Sequence, residues 1–242
     1  MSNFINTEDG YFSLTQTGTI CIGVLIVLLI VLSAFLRKKP VEGEHEKKEK
    51  KGFSARQIVF CAAALALGFA TSYIKVFSMP FGGSVTLCSM LFVVLIGYWY
   101  GPEVGLMSGF AYGFLEFAQD GGSYILSPMQ ACMDYIFAFA ALGLSGFFYQ
   151  KKNGLIKGYI VAILVRGLFH TIGGYLYWMD YMPDNFPKSL TALYPIIYNY
   201  SYILLEGVLT IVVISIPAVS RALGRMRIMA TGGNRQSAAT EK

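Results

Sequence analysis

The chain has 242 residues, is 55% hydrophobic and only 14% charged, and has a mean hydropathy of +0.55. About a quarter of the residues in a soluble domain are charged, so this composition excludes an ordinary soluble fold and points to a membrane protein. The net charge of +5 is gathered between Arg37 and Arg56, at 151–157 and after Arg221; it reads as membrane orientation and excludes a nucleic-acid footprint, since no basic stripe alternates with aromatics.

In chain order, residues 1–17 are polar and slightly acidic. Thr19 to Leu36 is an uninterrupted apolar run ending in Arg37-Lys38-Lys39-Pro40. Its length matches a hydrocarbon core of about 30 Å. Positive charge follows the run instead of preceding it, the reverse of a signal peptide, which predicts an uncleaved transmembrane helix with its N-terminus outside. Residues 37–56 form a charged linker containing His45, too polar to bury anything. Six further helices are predicted, at 57–77, 87–100, 104–118, 127–149, 156–177 and 190–219. The expected organisation is thus an N-terminal segment with an extra transmembrane helix (1–36), a cytoplasmic linker (37–56), a six-helix membrane domain (57–220) and a basic cytoplasmic tail (221–242). Cys21, Cys61, Cys88 and Cys132 lie singly in apolar runs without metal or disulfide spacing and read as small buried hydrophobes.

Alternation of the helices places the linker, the turn at 100–103, residues 150–157 and the tail inside, with 78–86, 119–126 and 178–189 outside. Of the 19 lysines and arginines, 16 fall in the inside segments, all but Lys75, Arg166 and Lys188, as the positive-inside rule requires. The outer half then holds Glu116, Asp120, Asp134, Asp180 and Asp184 against Lys75 and Lys188, among many rings that include Tyr124, Tyr177 and Tyr181. Carboxylates beside aromatic faces favour a cationic, planar ligand. Rings also gather at any membrane interface, and Asp180 and Asp184 read as solvated loop residues.

Asp134 stands apart. Ser127 is a natural N-cap and Pro128 suits a first helical turn, so Asp134 falls almost two turns inside a membrane helix, where an ionisable group marks function. His170 lies one turn from Arg166 on the same helix face. Arg166 and Glu206, at similar depth on neighbouring helices, are expected to form a structural ion pair. Ala62, Ala66 and Ala70 make a small-xxx-small face, which suits close approach by a helix of this chain or of another protein. No phosphate-binding Gly-x-x-x-x-Gly-Lys loop, His-Glu-x-x-His or Gly-x-Ser-x-Gly motif is present. The residues describe a binding cup open outward, without catalytic residues, metal or cofactor.

Several stretches then converge on one family. Gly82-Gly83-Ser84-Val85-Thr86-Leu87-Cys88-Ser89-Met90, Tyr112-Gly113, Leu126-Ser127-Pro128-Met129-Gln130 with Asp134-Tyr135, His170 with Trp178, and Tyr194 with Asn199 resemble the thiamine-specific substrate-binding (S) component of energy-coupling factor (ECF) vitamin transporters, over roughly residues 53–221. The resemblance implies an all-α, six-helix membrane protein that binds thiamine from outside and works with a transmembrane coupling subunit and two ATPases. It also implies ligand contacts at Asp134, Tyr135, His170, Trp178, Tyr194 and Asn199, more weakly at Tyr112 and Thr86, and docking on the coupling subunit through Ala62, Ala66 and Ala70. Two features depart from the family: Asp134 stands where the family has a glutamate, and the helix at 19–36 lies outside the six-helix frame. The segment 78–86, with Pro80 and Gly82-Gly83, suits a lid. Rival readings are an S component for another vitamin or for a thiamine precursor, an integral-membrane enzyme using His170 and Asp134, and a self-sufficient secondary transporter.

Overall fold

A computed structural model describes residues 5–8, 11–14, 53–120 and 125–233. The expected helix at 19–36, most of the linker, Tyr124 and the residues after 233 lie outside these. Two short strands, β1 (Ile5–Glu8) and β2 (Tyr11–Leu14), pair antiparallel. Everything else is arranged around a helical bundle with one more hairpin.

Helix α1 (Ala55–Ser72) starts at Ser54, whose Oγ accepts from the Gln57 N–H at 3.2 Å, satisfying a donor the helix itself cannot. It turns Ala64, Gly68 and Ser72 inward and leaves Ala62, Ala66 and Ala70 exposed. The helix stops at Ser72, short of the expected residue 77. In place of a last turn, Lys75–Ser78 forms β3, which pairs antiparallel with β4 (Ser84–Thr86) through an irregular register. The run Ile74-Lys75-Val76-Phe77 is rich in β-branched and aromatic side chains, which favour a strand once a partner strand is at hand.

Helices α2 (Ser89–Tyr100) and α3 (Pro102–Asp120) are joined by Gly101 alone, at φ 92°. That left-handed conformation suits glycine, and Pro102 opens the next helix where its missing N–H is harmless. At 12 residues, α2 is only about 18 Å long. It is nonetheless the most deeply buried element, with Val93, Val94 and Ile96 wholly enclosed. Helix α4 (Pro128–Phe148) is irregular: a first α turn gives way to a π-helical segment at Cys132–Phe137 and ends as a 3-10 helix over Ala141–Phe148. Helix α5 spans Gly154–Tyr177, and α6 (Tyr194–Ser215) follows a 3-10 segment at Lys188–Leu193.

The sequence predicts one long final helix to residue 219. The chain instead breaks at Ile216, and Pro217 opens a separate helix, α7 (Pro217–Thr231), closed by Gly232 at φ 81°. Proline cannot donate into the preceding turn, so the break falls at its position. The domain therefore has seven helices among the described residues where six were expected, and α7 crosses the boundary expected at 220. It folds back under the bundle: the Arg227 guanidinium lies over the Tyr98 ring at 4.6 Å and donates to Tyr98 Oη and to the Tyr149 carbonyl, both at 2.8 Å. Among the described residues, four stretches, Ala55–Ser72, Pro128–Phe148, Gly154–Tyr177 and Lys188–Ser215, are long and apolar enough to cross a membrane.

α4 lies against α2, α3 and α5, while α6 packs on α5 and reaches the hairpin. The α3–α4 contact depends on Gly105, Gly109 and Gly113, one every fourth residue. A Cβ at these positions would lie 2.7, 2.5 and 2.6 Å from the carbonyl oxygens of Gly143, Phe139 and Tyr135. The two backbones thus touch directly, the usual role of small residues between membrane helices. This brings the π segment, and Asp134 with it, hard against α3.

Candidate functional site

A cleft of about 120 Å³ opens at the hairpin end of the bundle, between the hairpin and α3, α4, α5 and α6. Its organising group is Asp134, whose side chain is 14% exposed. Asp134 sits in the π segment, a geometry that often re-aims side chains at functional sites. Oδ2 accepts from Gln130 Nε2 at 2.6 Å and from Trp178 Nε1 at 3.2 Å, and Oδ1 lies 3.3 Å from His170 Nδ1.

Each of these partners is itself held. Gln130 is one turn before Asp134 and almost completely buried. Its Oε1 accepts from the Leu126 N–H at 3.0 Å, which leaves the amide nitrogen facing the carboxylate. His170 Nε2 is 3.4 Å from Arg166 Nε. A guanidinium only donates, so Nε2 is the acceptor, the ring is neutral, and its proton is on Nδ1, directed at Asp134. Gly173 makes the room: a Cβ there would lie 2.9 Å from Asp134 Oδ1. Asn199 Nδ2 donates to the backbone oxygens of His170 (3.1 Å) and Pro195 (2.8 Å), and its Oδ1 accepts from Tyr202 Oη at 3.2 Å. Asn199 thereby fixes α6 to α5 behind the cleft.

The walls are aromatic. Phe81, Trp178 and Tyr181 form a trio with centroids 5.2–6.3 Å apart. Tyr194, Tyr198 and Tyr202 descend α6 at four-residue intervals, neighbouring centroids 5.9 Å apart. The hairpin tip is tied to this ladder, since Tyr198 Oη donates to the Pro80 carbonyl and accepts from the Gly83 N–H at 3.2 Å. Phe81, at the tip, holds a left-handed φ of 62°, which is uncommon for an aromatic residue and cluster-forming at ligand clamps. At the far end of the cleft Tyr135 Oη donates to Asp120 Oδ2 at 2.6 Å, and Ser72 Oγ donates to Gln119 Oε1 at 2.8 Å. Glu116 lines the same end, beside Tyr112 and Ser72.

Of the residues singled out from sequence, Asp134, Tyr135, His170, Trp178, Tyr194, Asn199 and Thr86 all line this cleft. Tyr112 does not. It is fully enclosed behind the cleft, edge-on to Phe139 at 5.3 Å. Asp180 and Asp184 are exposed and lie outside it.

The expected Arg166–Glu206 ion pair is not formed. Arg166 lies over the Phe139 ring at 4.1 Å and turns its Nε to His170. Glu206, 3% exposed, instead accepts from Thr86 N (2.8 Å), Thr86 Oγ1 (2.7 Å), Met90 N (3.3 Å) and Ser89 Oγ (3.4 Å). The first turn of α2 offers unpaired N–H groups and a positive dipole end, which satisfy a carboxylate as well as a guanidinium would. Glu206 thus pins the stem of the hairpin to α6.

Gln130, named above only within a family motif, and Tyr198 and Tyr202 complete the site without a role having been predicted for them. Their signal is in the spacing: Gln130 is four residues before Asp134, and the tyrosines repeat every four residues from Tyr194. Phe81 carries no such signal. Among the described residues, no group of three or more His, Cys, Asp or Glu side chains is placed to hold a metal.

The profile of the thiamine transporter protein family matches residues 58–224. A thiamine transporter, ThiT, of Bacillus subtilis strain 168 is 29% identical over 169 residues, 64% of this chain and 84% of the relative. ThiT of Lacticaseibacillus paracasei is 29% identical over 124 residues, 45% of this chain and 60% of the relative. A solved structure of ThiT from Listeria monocytogenes superposes with a TM-score of 0.57 at 21% identity, covering 72% of this chain and 96% of that one. At that identity the likeness is one of fold.

Proposed function

The chain belongs to the thiamine transporter protein family, a family of transport proteins and not of enzymes, and from that premise we propose that it is the thiamine-binding S component of an ECF transporter. It captures the vitamin from outside the cell and delivers it through a coupling subunit and two ATPases. The supporting observation is Asp134, a carboxylate held by Gln130, Trp178 and neutral His170 at the base of an aromatic-walled cleft. Thiamine joins a cationic thiazolium to an aminopyrimidine. Asp134 suits the charge and the donors of such a ligand, while Trp178, Tyr135 and Tyr194 offer faces for its rings. His170 and Asn199 keep the walls in register, Thr86 belongs to the rim and Tyr112 supports from behind.

In this reading the cleft faces outward and the C-terminus is cytoplasmic, as the distribution of lysines and arginines requires. Residues 57–220 form the binding domain, 1–36 an additional anchor, 37–56 a cytoplasmic linker and 221–242 a tail that begins within α7. The hairpin 75–86 acts as the lid, released and closed through Tyr198. The exposed face Ala62-Ala66-Ala70 receives the coupling subunit, and the rest of the perimeter meets lipid.

The test is to purify the protein from cells supplied with thiamine and identify the bound ligand by mass spectrometry, followed by calorimetry with thiamine and with its isolated aminopyrimidine half. Tight thiamine binding with a much weaker pyrimidine supports the proposal. Equal affinity for the pyrimidine would transfer the site to a thiamine precursor. Turnover by the isolated chain, or ion-driven uptake without ATPases, would refute it.

A further inference from the structure

A second cavity, of about 840 Å³, lies at the end of the bundle away from the hairpin, where α2 and α4 finish and α5 begins. Helix α7 forms one wall. Ser220, Leu223, Gly224, Arg227, Ile228 and Thr231 all line it, and their spacing of three and four residues makes them one continuous face of that helix. The side chains from the other helices are largely apolar, with Leu95, Leu155, Ile156 and Ile214 among them. The volume is that of a site for a sizeable small molecule, and a lining so apolar does not suit water.

Charge here has one sign only. Among the described residues that line the cavity, Arg227 is the one charged side chain. Its guanidinium is fixed in place over the Tyr98 ring, donating to Tyr98 Oη and to the Tyr149 carbonyl. A smaller cavity adjoins the first at Trp99 and Thr231, which line both, and there Arg56 is the one charged side chain described. The Arg56 guanidinium occupies the place that a Cβ at Gly232 would take, so it packs on the closing turn of α7. Tyr100 closes α2 and Tyr149 follows α4; rings at helix ends mark the level of lipid headgroups in a membrane protein.

We propose that this cavity binds an anionic phospholipid, with an acyl chain along the apolar lining and the phosphodiester at Arg227. A planar guanidinium suits a phosphate in charge and in geometry, and basic pockets between membrane helices take anionic headgroups. A soluble phosphate would leave the apolar lining without a partner. A zwitterionic lipid would match that lining but gain little from two guanidinium groups with no carboxylate among the lining residues. Bound there, the lipid braces α7 against the bundle. The proposal depends on the chain being embedded in a membrane and is independent of which ligand the cleft at the hairpin end takes.

Gly224 supplies the test. A Cβ at this position meets nothing within 4 Å, so Gly224→Leu occupies part of the cavity without a clash and without touching the Arg227 clamp, and leucine is the better helix former. The detergent-purified full chain, washed free of carried lipid, is examined by native mass spectrometry after equal additions of phosphatidylglycerol and phosphatidylethanolamine. The wild type is expected to retain one copy of phosphatidylglycerol with an affinity about tenfold or more above that for phosphatidylethanolamine. Gly224→Leu should weaken that retention several-fold, and Arg227→Gln should bring the two lipids to within about threefold of each other. Where Arg227→Gln is poorly folded, the leucine variant carries the test. Equal retention of the two lipids by the wild type, or undiminished retention by a folded Gly224→Leu protein, overturns the proposal. Displacement of the lipid by millimolar glycerol phosphate also overturns it and makes the cavity a site for a soluble phosphate. Thiamine titration of the same preparations tests the thiamine reading separately.

Discussion

Replacing Asp134 by alanine removes the one group on which three donors converge. Gln130 Nε2, Trp178 Nε1 and His170 Nδ1 would all lose their acceptor. Of these, Gln130 is almost completely buried and has no water to turn to. A charge-assisted hydrogen bond to the ligand is worth about 1.5–3 kcal/mol, which alone weakens binding by about 10- to 150-fold. Relaxation of Trp178 and His170 from their set positions adds to this, so the expected loss is on the order of a hundredfold to a thousandfold. Asp134→Asn keeps one acceptor oxygen and should fall between alanine and wild type. Thiamine titration followed by tryptophan quenching is well suited as the assay, because the two tryptophans divide cleanly: Trp178 lines the cleft, while Trp99 is buried against Tyr100 away from it. Calorimetry on the same preparations gives the affinity independently. An Asp134→Ala protein that stays monodisperse and binds thiamine within threefold of wild type would show that the carboxylate is not part of the binding site.

Three other outcomes test separate parts of the structure. Gly173→Ala puts a methyl 2.9 Å from Asp134 Oδ1, so it should weaken thiamine about tenfold or more with little change in thermal stability; an unchanged affinity would mean that the carboxylate is free to move. Glu206→Ala leaves the buried Thr86 and Met90 N–H groups without an acceptor, at a cost of about 3 kcal/mol or more. The thermal-unfolding midpoint in detergent should fall by at least about 5 °C, and a drop of under 1 °C would contradict the clamp described for the hairpin. Ala66→Leu, on the exposed face of α1, should leave thiamine affinity and stability unchanged and prevent co-purification with the coupling subunit; retained assembly would move the docking face elsewhere.

Long-range electrostatics and periodicity are properties of the sequence, and what depends on them was legible there. Thr19–Leu36 and the apolar stretches from Gln57 onward declare a membrane protein without any tertiary information. The π segment could not be foreseen: Ser127-Pro128 announces the start of α4, but whether its turns are α, π or 3-10 depends on how closely α3 approaches. The Gly105-xxx-Gly109-xxx-Gly113 stripe is visible in the sequence. Nothing in it says that α4 is the helix received there. Arg166 and Glu206 illustrate the same limit. Depth along two helices predicted that they would meet, but rotation about each axis directed one to His170 and Phe139 and the other to the start of α2.

The sequence by itself determined that the chain crosses a membrane, and it set the expectation that Asp134 is functional, because a carboxylate in an apolar helix has no inexpensive environment. The motifs carried the family and about half of the residues around the cleft. Only the tertiary structure decided which face each helix turns inward. That placed Gln130 and His170 on Asp134, shut Tyr112 behind the wall and broke the last helix at Pro217. Those outcomes follow from backbone approach and helix rotation, which are set by all the packed side chains together and by no single stretch of sequence.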